Sequence, residues 1–254
     1  MLWPKNQMLL SGRQDNPLET LPGKAVNKPD ISVIIPVYRE EQIINDFVQR
    51  LTEIFPAERH EIIIIDGDPV RTTLSALHVP GVSGSASGSG RGNQMNAGAA
   101  KARGKILLFL HADTTLPESA PDLIQTALRD QDLAGGAFSL GIDSSRWSLK
   151  LVEAAANLRS AATRVPYGDQ AIFITKEKFS ESGGFRDIPI MEDLELMTRL
   201  KKMGEKIIIL PDKAMTSARR WKCEGVARGT LRNWLIRILY HLGVSPQKLC
   251  RMYR

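Results

Sequence analysis

Ile106-Leu107-Leu108-Phe109-Leu110-His111-Ala112-Asp113 sets five apolar residues directly before a histidine and an aspartate. A run of that kind, with no polar alternation, reads as a strand buried on both faces. Two more runs lie upstream. Ile31-Ser32-Val33-Ile34-Ile35-Pro36-Val37 is rich in β-branched residues, and Glu61-Ile62-Ile63-Ile64-Ile65 stops at Asp66-Gly67-Asp68-Pro69. Between these two, residues 40–55 carry Ile43, Ile44, Phe47, Val48, Leu51 and Ile54 at helical spacing, and Pro56 ends the helix. A Gly/Ser-rich stretch over 81–92 then leads into a small-residue helix over 93–102, closed by Gly104. Three uniformly apolar strands separated by helices describe an α/β fold, a parallel sheet covered on both faces. Ligands of such sheets bind beyond the carboxyl ends of the strands. Asp66 and Asp113 both sit at such ends.

Outside this framework the pattern is mixed. Residues 122–129 read as a helix, 135–142 as a strand, 148–159 as a helix and 170–175 as a strand. Residues 191–203 read as a helix with Gly204 as its C-cap, and 207–210 as a short strand. Residues 226–242 are amphipathic and basic, with Arg228, Arg232 and Arg237 among Leu231, Trp234, Leu235, Ile238 and Leu239. Such a helix could face the core, a membrane surface or a partner, and core-facing is the expectation. Residues 1–30 carry Pro4, Pro22, Gly23 and Pro29 without periodicity and read as a flexible extension.

A hydrophobic share of 43% and a charged share of 24% are those of a soluble globular chain, not of a disordered one. The formal charge of +6 favours anionic partners such as nucleotides, phospholipid surfaces or nucleic acid, without choosing among them. Cys223 and Cys250 have no C-x-x-C spacing, which argues against a disulfide scaffold or zinc site and suits a reducing compartment. No secretory signal is visible, and no apolar run approaches the roughly 20 residues that span a bilayer. The expectation is a cytoplasmic protein, with peripheral membrane contact open and no nucleic acid.

Several residues carry possible chemistry, each with a plainer reading. Asp66 before Gly67 suits a tight turn as well as a nucleobase or ribose contact. Gly90-Arg91-Gly92-Asn93-Gln94-Met95-Asn96-Ala97-Gly98 joins a Gly-rich loop, an arginine and a helix start, all suited to a diphosphate, although a surface loop would look the same. It matches neither the Walker pattern nor the dinucleotide fingerprint. His111 and Asp113, two apart on an extended backbone, would face one side; one carboxylate plus substrate phosphates is a normal shell for Mg²⁺ or Mn²⁺. Glu192-Asp193 opens a helix, where carboxylates are routinely stabilising but where a general base is also well held. Arg219-Arg220-Trp221 suits a phosphate or a solvated edge.

The order of these features resembles the family 2 glycosyltransferases of the GT-A fold. It runs Ile34-Ile35-Pro36-Val37-Tyr38-Arg39-Glu40-Glu41, Asp66-Gly67, the 90–98 stretch, Leu110-His111-Ala112-Asp113, then Met191-Glu192-Asp193-Leu194-Glu195-Leu196. Gly-Arg-Gly-x-Gln-Met-Asn-x-Gly and Leu-His-Ala-Asp-Thr are similar to strings of a bacterial subgroup associated with radical-SAM and selenoprotein genes. The resemblance implies a single domain over 31–242 with a mostly parallel central sheet and helices on both faces. Its nucleotide-binding half would be 31–115, its acceptor and catalytic half 116–225, and its basic helix 226–242, with a tail over 243–254. It implies hexosyl transfer from a nucleotide-sugar donor to an acceptor hydroxyl. Pro36, Tyr38, Glu40 and Asp66 would surround the nucleoside, with Arg91 and His111 also on the donor nucleotide.

By the same resemblance, Asp113 matches the metal-binding acid of the D-x-D motif and implies a divalent metal, Mg²⁺ or Mn²⁺. Asp193 matches the catalytic base of the E-D motif, with Glu192 beside it. Arg220 and Trp221 match an R-W element near the diphosphate and acceptor, without the glutamine that usually precedes it. His111 replaces the first acid of D-x-D, removing one negative charge and one oxygen ligand. Two other readings stand beside this one. A nucleotidyltransferase would carry a lysine-containing Gly-rich loop after the first strand, where this chain has Pro36-Val37-Tyr38-Arg39-Glu40. A non-catalytic protein binding nucleotides or a membrane surface would leave Asp113 and Asp193 unexplained.

Overall fold

The computed structural model describes residues 28–253, apart from the side chains of Arg220, Lys222, Cys223 and Tyr253. The three apolar runs become β1 (Ile31–Val37), β2 (His60–Asp66) and β4 (Ile106–Phe109), joined by β3 (Ser83–Ala86) in the parallel order β3-β2-β1-β4. Between them run α1 (Ile44–Ile54), the short α2 (Thr72–Ala76) and α3 (Arg91–Lys101). The pleat sends Val33, Ile35 and Val37 toward α1, where they meet Ile44, Phe47, Val48 and Leu51. Ile34 points to the other face and meets Met95 and Ala99 of α3. These isoleucines are fully buried, and each stabilises the fold by about 1.5–3 kcal/mol.

Helix α3 lies directly on β1, since a Cβ at Gly98 would fall 2.3 Å from Ile34 Cγ2. That contact holds the first residue of the helix, Arg91, at the carboxyl edge of the sheet. The buried Gln94 amide fixes the same edge, donating to the carbonyls of Val37 at 2.7 Å and Ile65 at 2.8 Å. The ends of β1 and β2 are thereby locked together.

The remaining strands are β5 (Thr114–Thr115), β6 (Leu133–Asp143), β7 (Ile172–Thr175) and β8 (Lys206–Ser217). They extend the sheet to eight strands in the order β3-β2-β1-β4-β7-β6-β8-β5. Strand β7 is antiparallel to both β4 and β6, while β6 and β8 are parallel. The helices here are α4 (Ala120–Ala127), α5 (Trp147–Thr163), α6 (Lys176–Glu181), α7 (Glu192–Lys202), α8 (Arg219–Glu224), α9 (Val226–His241) and α10 (Pro246–Tyr253). This is an α/β, GT-A-like fold with a mostly parallel sheet and helices on both faces.

Four expectations change. The Gly/Ser stretch contains β3, an edge strand whose small, partly exposed residues give no apolar signal. Strand β8 runs well past Leu210, because a bulge opposite Phe138 and Ser139 takes up Pro211 and Asp212. The segment expected as a tail forms α10, seated through the fully buried Leu249. Helix α9 buries only Gly229 and Ile236 and leaves most of its apolar residues exposed, against the core-facing expectation. Helices α3, α6 and α7 already cover that sheet face, so the periodicity had announced an apolar side without saying what covers it. The expected extension lies outside the described residues as far as residue 27. Asp30 is already fastened, its carboxylate taking the Arg59 guanidinium at 2.8 Å.

Candidate active site

After β4 the chain turns at Ala112 and Asp113 and is fastened there by β5, which pairs with Met215 and Thr216 of β8. The Ser217 N–H closes the turn on the Asp113 carbonyl at 3.1 Å. His111 and Asp113 therefore sit on a turn, not on the extended backbone expected. Both nonetheless line one cavity of about 190 Å³. Arg91, Asp193, Tyr167, Asp169 and Trp221 line it too, together with Asn233 from α9. A larger groove of about 670 Å³ runs along α1 from Gln42 to His60, away from every residue marked out in the sequence.

Glu192 and Asp193 open α7 behind Met191, whose φ of +67° is unusual for a non-glycine residue. The two acids part there. Glu192 turns inward and is nearly fully buried, with one oxygen 2.8 Å from the Arg91 Nε. Its other oxygen, Oε2, has no hydrogen-bond partner. Burial pushes the Glu192 carboxyl up from the ordinary glutamate range; Arg91 opposes this and Asp193 reinforces it. Glu192 does not line the cavity. It holds Arg91, which does.

Asp193 faces the cavity. One carboxylate oxygen accepts the Gly168 N–H at 2.6 Å and the other accepts the Leu194 N–H at 2.7 Å. Gly168 lies between two side chains. A Cβ there would stand 3.0 Å from His111 Nε2 and 3.3 Å from Asp193 Oδ2. The histidine is thus on the Asp193 side of the site. Behind this point Tyr167 carries the Arg159 guanidinium 3.7 Å above its ring, and its hydroxyl meets Arg237 Nη1 at 3.5 Å.

The residues expected around a nucleoside lie beside the cavity and do not line it. Pro36 is buried in β1, and Tyr38 is about half exposed beyond it. Arg39 follows with a φ of +57°. The Glu40 carboxylate lies 3.9 Å from Arg219. Burial raises its pKa, Arg219 opposes the rise, and Asp113 and Glu41 add to it. The Asp113 charge therefore reaches Glu40 from a separate loop. Asp66 is fully buried, and its oxygens accept the N–H groups of Asp68 at 2.8 Å and Leu74 at 3.2 Å. Trp221 reaches the cavity from α8, while the Arg220 side chain lies outside the described residues.

Sequence reading missed Gly168, Tyr167, Asp169 and Asn233 as site residues and gave Gln94 no role. Tyr167-Gly168-Asp169-Gln170 is a polar run just before a strand, which was the available signal. Asn233 sits in a helix with no signal of its own.

A family model described as glycosyl transferase family 2 matches residues 32–178, more than half of the chain. No curated protein matches. Among solved structures, the mannosyltransferase PcManGT from Pyrobaculum calidifontis, in complex with GDP-Man and Mn²⁺, superposes with a TM-score of 0.64 at 20% identity. That match covers 90% of this chain and 66% of PcManGT. TarS 1-349 from S. aureus, in complex with UDP-GlcNAc, gives a TM-score of 0.59 at 17% identity, over 74% of this chain and 58% of the other. The chain thus spans less than two thirds of the solved proteins it matches. At these identities the likeness is one of fold, and the family follows from the model match. This chain belongs to glycosyl transferase family 2.

Proposed function

We propose that this protein moves a sugar from a nucleoside-diphosphate donor to an acceptor hydroxyl, with inversion at the anomeric carbon. The observation that carries this reading is the single cavity in which Asp193, His111, Arg91 and Asp113 meet. A donor is larger than the cavity, since ligand pockets usually run to roughly 300–1,000 Å³. Its sugar and diphosphate fit the enclosed part, and its nucleoside lies over the open ends of β1 and β2, beside Tyr38, Glu40 and Asp66. Both solved relatives named above hold sugar nucleotides, which is consistent with a donor of this class.

Asp193 is the base. Two backbone N–H groups fix the plane of its carboxylate, and a carboxylate keeps further lone pairs for an incoming O–H. It takes the proton of the acceptor hydroxyl, whose oxygen attacks the anomeric carbon from the face opposite the nucleotide. The bond to the diphosphate breaks, and negative charge gathers on the leaving phosphate. Arg91, held in place by Glu192, answers that charge, and such prearranged stabilisation is often the largest catalytic contribution. Glu192 acts through Arg91 and is a positioning residue. Gly168 and Trp221 shape the acceptor end.

Asp113 would hold the divalent ion. Among the described residues no three His, Cys, Asp or Glu side chains form a site by themselves. One exposed carboxylate plus two phosphates fits Mg²⁺ or Mn²⁺, which keep waters and lean on substrate oxygens. When bound, the ion supplies positive charge to the leaving diphosphate. His111, on the Asp193 side, contacts the donor sugar or ribose and is not assigned as a ligand. Membership of the radical-SAM-associated subgroup rests on the Gly90–Gly98 and Leu110–Thr114 strings alone.

Calorimetric titration of UDP and GDP, with and without Mn²⁺, tests the proposal on wild type and Asp113→Ala. Binding of one nucleotide that needs the ion and is lost in the variant is expected. Absence of diphosphate binding under every condition would overturn the transferase reading. Binding indifferent to the ion would overturn the role given to Asp113.

A further inference from the structure

The chain carries 34 Lys and Arg against 28 Asp and Glu, an excess of +6. Residues 225–254 contain Arg228, Arg232, Arg237, Lys248, Arg251 and Arg254 and no acidic residue. The whole positive excess therefore lies in this one segment, and the rest of the chain is balanced. Within it, α9 turns Leu231, Trp234, Leu235 and Ile238 to solvent, and Leu242 continues the row just past the helix end. Their spacing puts them on one side of the helix. Leu231 and Leu242 are 72% and 75% exposed, values ordinary for a lysine and not for a leucine on a helix that has found its partner.

Helix α5 packs beside α9 and repeats the arrangement. Trp147, Leu151 and Leu158 stand exposed on one side of it, with Lys150 at their edge. Its one acid, Glu153, is buried and bound to Lys213 at 2.6 Å, so it adds no negative charge to the exposed side. Two adjacent helices thus show large apolar side chains, two of them tryptophans, edged by cations and free of exposed carboxylates.

We infer that the α5–α9 face docks on an anionic lipid bilayer. Tryptophan and leucine on one face with arginine at its edge is the composition of helices that lie in the headgroup region. A second copy is the other candidate occupant, and the charge argues against it: a two-fold contact would set Arg228 and Lys150 against cations of the same patch. No helix of the described residues is long and apolar enough to cross a membrane. Helix α9 lines the cavity directly, and α5 backs it through Tyr167. Arg159 of α5 and Arg237 of α9 both grip Tyr167, and Asn233 of α9 lines the site. Docking therefore brings the acceptor side of the cavity to within about one helix diameter, roughly 10 Å, of the headgroups.

Vesicle co-sedimentation of the full chain, without nucleotide or metal, tests the inference independently of any transferase activity. Vesicles of phosphatidylglycerol mixed equally with phosphatidylcholine should bind it about tenfold or more tightly than phosphatidylcholine alone, with the difference shrinking in high salt. Arg228→Ala should weaken binding about fivefold, and the exposed pair Leu231→Glu with Ile238→Glu should abolish it. An unchanged thermal midpoint will show that the double variant still folds. The tryptophan emission of the wild type should shift to the blue on vesicles, by less in Trp234→Phe. Equal binding to neutral and anionic vesicles, or full binding by the double variant, overturns the inference. So does a dimer in light scattering that the double variant splits while vesicles bind neither form.

Discussion

Asp66 ends β2 and Asp68 follows it, and their carboxylate oxygens accept hydrogen bonds from the loop that begins there. Asp66 accepts the N–H groups of Asp68 and Leu74, and Asp68 accepts the Thr72 hydroxyl at 3.0 Å and the Val70 N–H at 3.4 Å. Every one of these hydrogen-bond partners lies within eight residues, and Arg39 adds a looser ion pair to Asp68 at 3.8 Å from farther off. Glu192 and Asp193 also stand as near neighbours at the end of an element, yet beside the adjacent Leu194 N–H on Asp193 they take partners from afar. Arg91 belongs to a helix in the other half of the chain, and Gly168 lies 25 residues back. One oxygen of Glu192 has no partner at all. Local partners make a turn, whereas distant partners and an unspent oxygen gather a site from parts that meet only in the fold.

Substitution should separate the two pairs. Asp193→Asn is expected to lower kcat about 10²- to 10⁴-fold with little change in thermal midpoint, the usual worth of a general base. Steady-state transfer assays beside a melting curve will check this, and retained activity would move the base elsewhere. Asp66→Asn should act on the fold. It swaps a buried double acceptor for a group with one acceptor and a donor, at a cost of about 1–3 kcal/mol by denaturant unfolding. Gly168→Ala should sharpen the contrast from the Asp193 side. The added methyl must displace His111 or the carboxylate, and about a tenfold loss in kcat/KM is expected with stability nearly unchanged.

Glu192→Gln should give an effect no larger than that of Gly168→Ala, and the most particular one. Freed from its partner, Arg91 should hold the diphosphate less well, raising the donor KM about tenfold. The pH dependence has a definite sign. The folded Glu192 pKa is raised by burial above its unfolded value. Its contribution to stability is therefore full below the ordinary glutamate range and is lost as pH rises through the raised folded value. Relative to wild type, Glu192→Gln should gain stability across that rise and lose the advantage in acid. Thermal melts over a pH series will show it, and a difference flat with pH would remove the burial argument.

The parallel half was open to reading because its strands are buried on both faces, and continuous apolar runs such as Ile62–Ile65 leave few alternatives. The carboxyl-end rule then points at Asp66 and Asp113. Strand β3 escaped because an edge strand of Ser and Gly needs no apolar signature, and β8 escaped because Pro211 reads as a stop where a bulge absorbs it. Tyr167, Gly168 and Asn233 gave no periodicity that would bring them to Asp193. Their place depends on how β7 threads between β4 and β6, a non-local choice.

From its order of residues alone, this protein was committed to an α/β sheet, to acids at the carboxyl ends of its strands and to a basic C-terminal helix. Burial and periodicity are local properties, and a chain declares them wherever it goes. Tertiary structure alone decided that Glu192 faces Arg91 while Asp193 faces His111, and that α9 keeps its leucines in water. Those outcomes depend on which surfaces remain uncovered once the sheet has closed, and no stretch of sequence holds that information by itself.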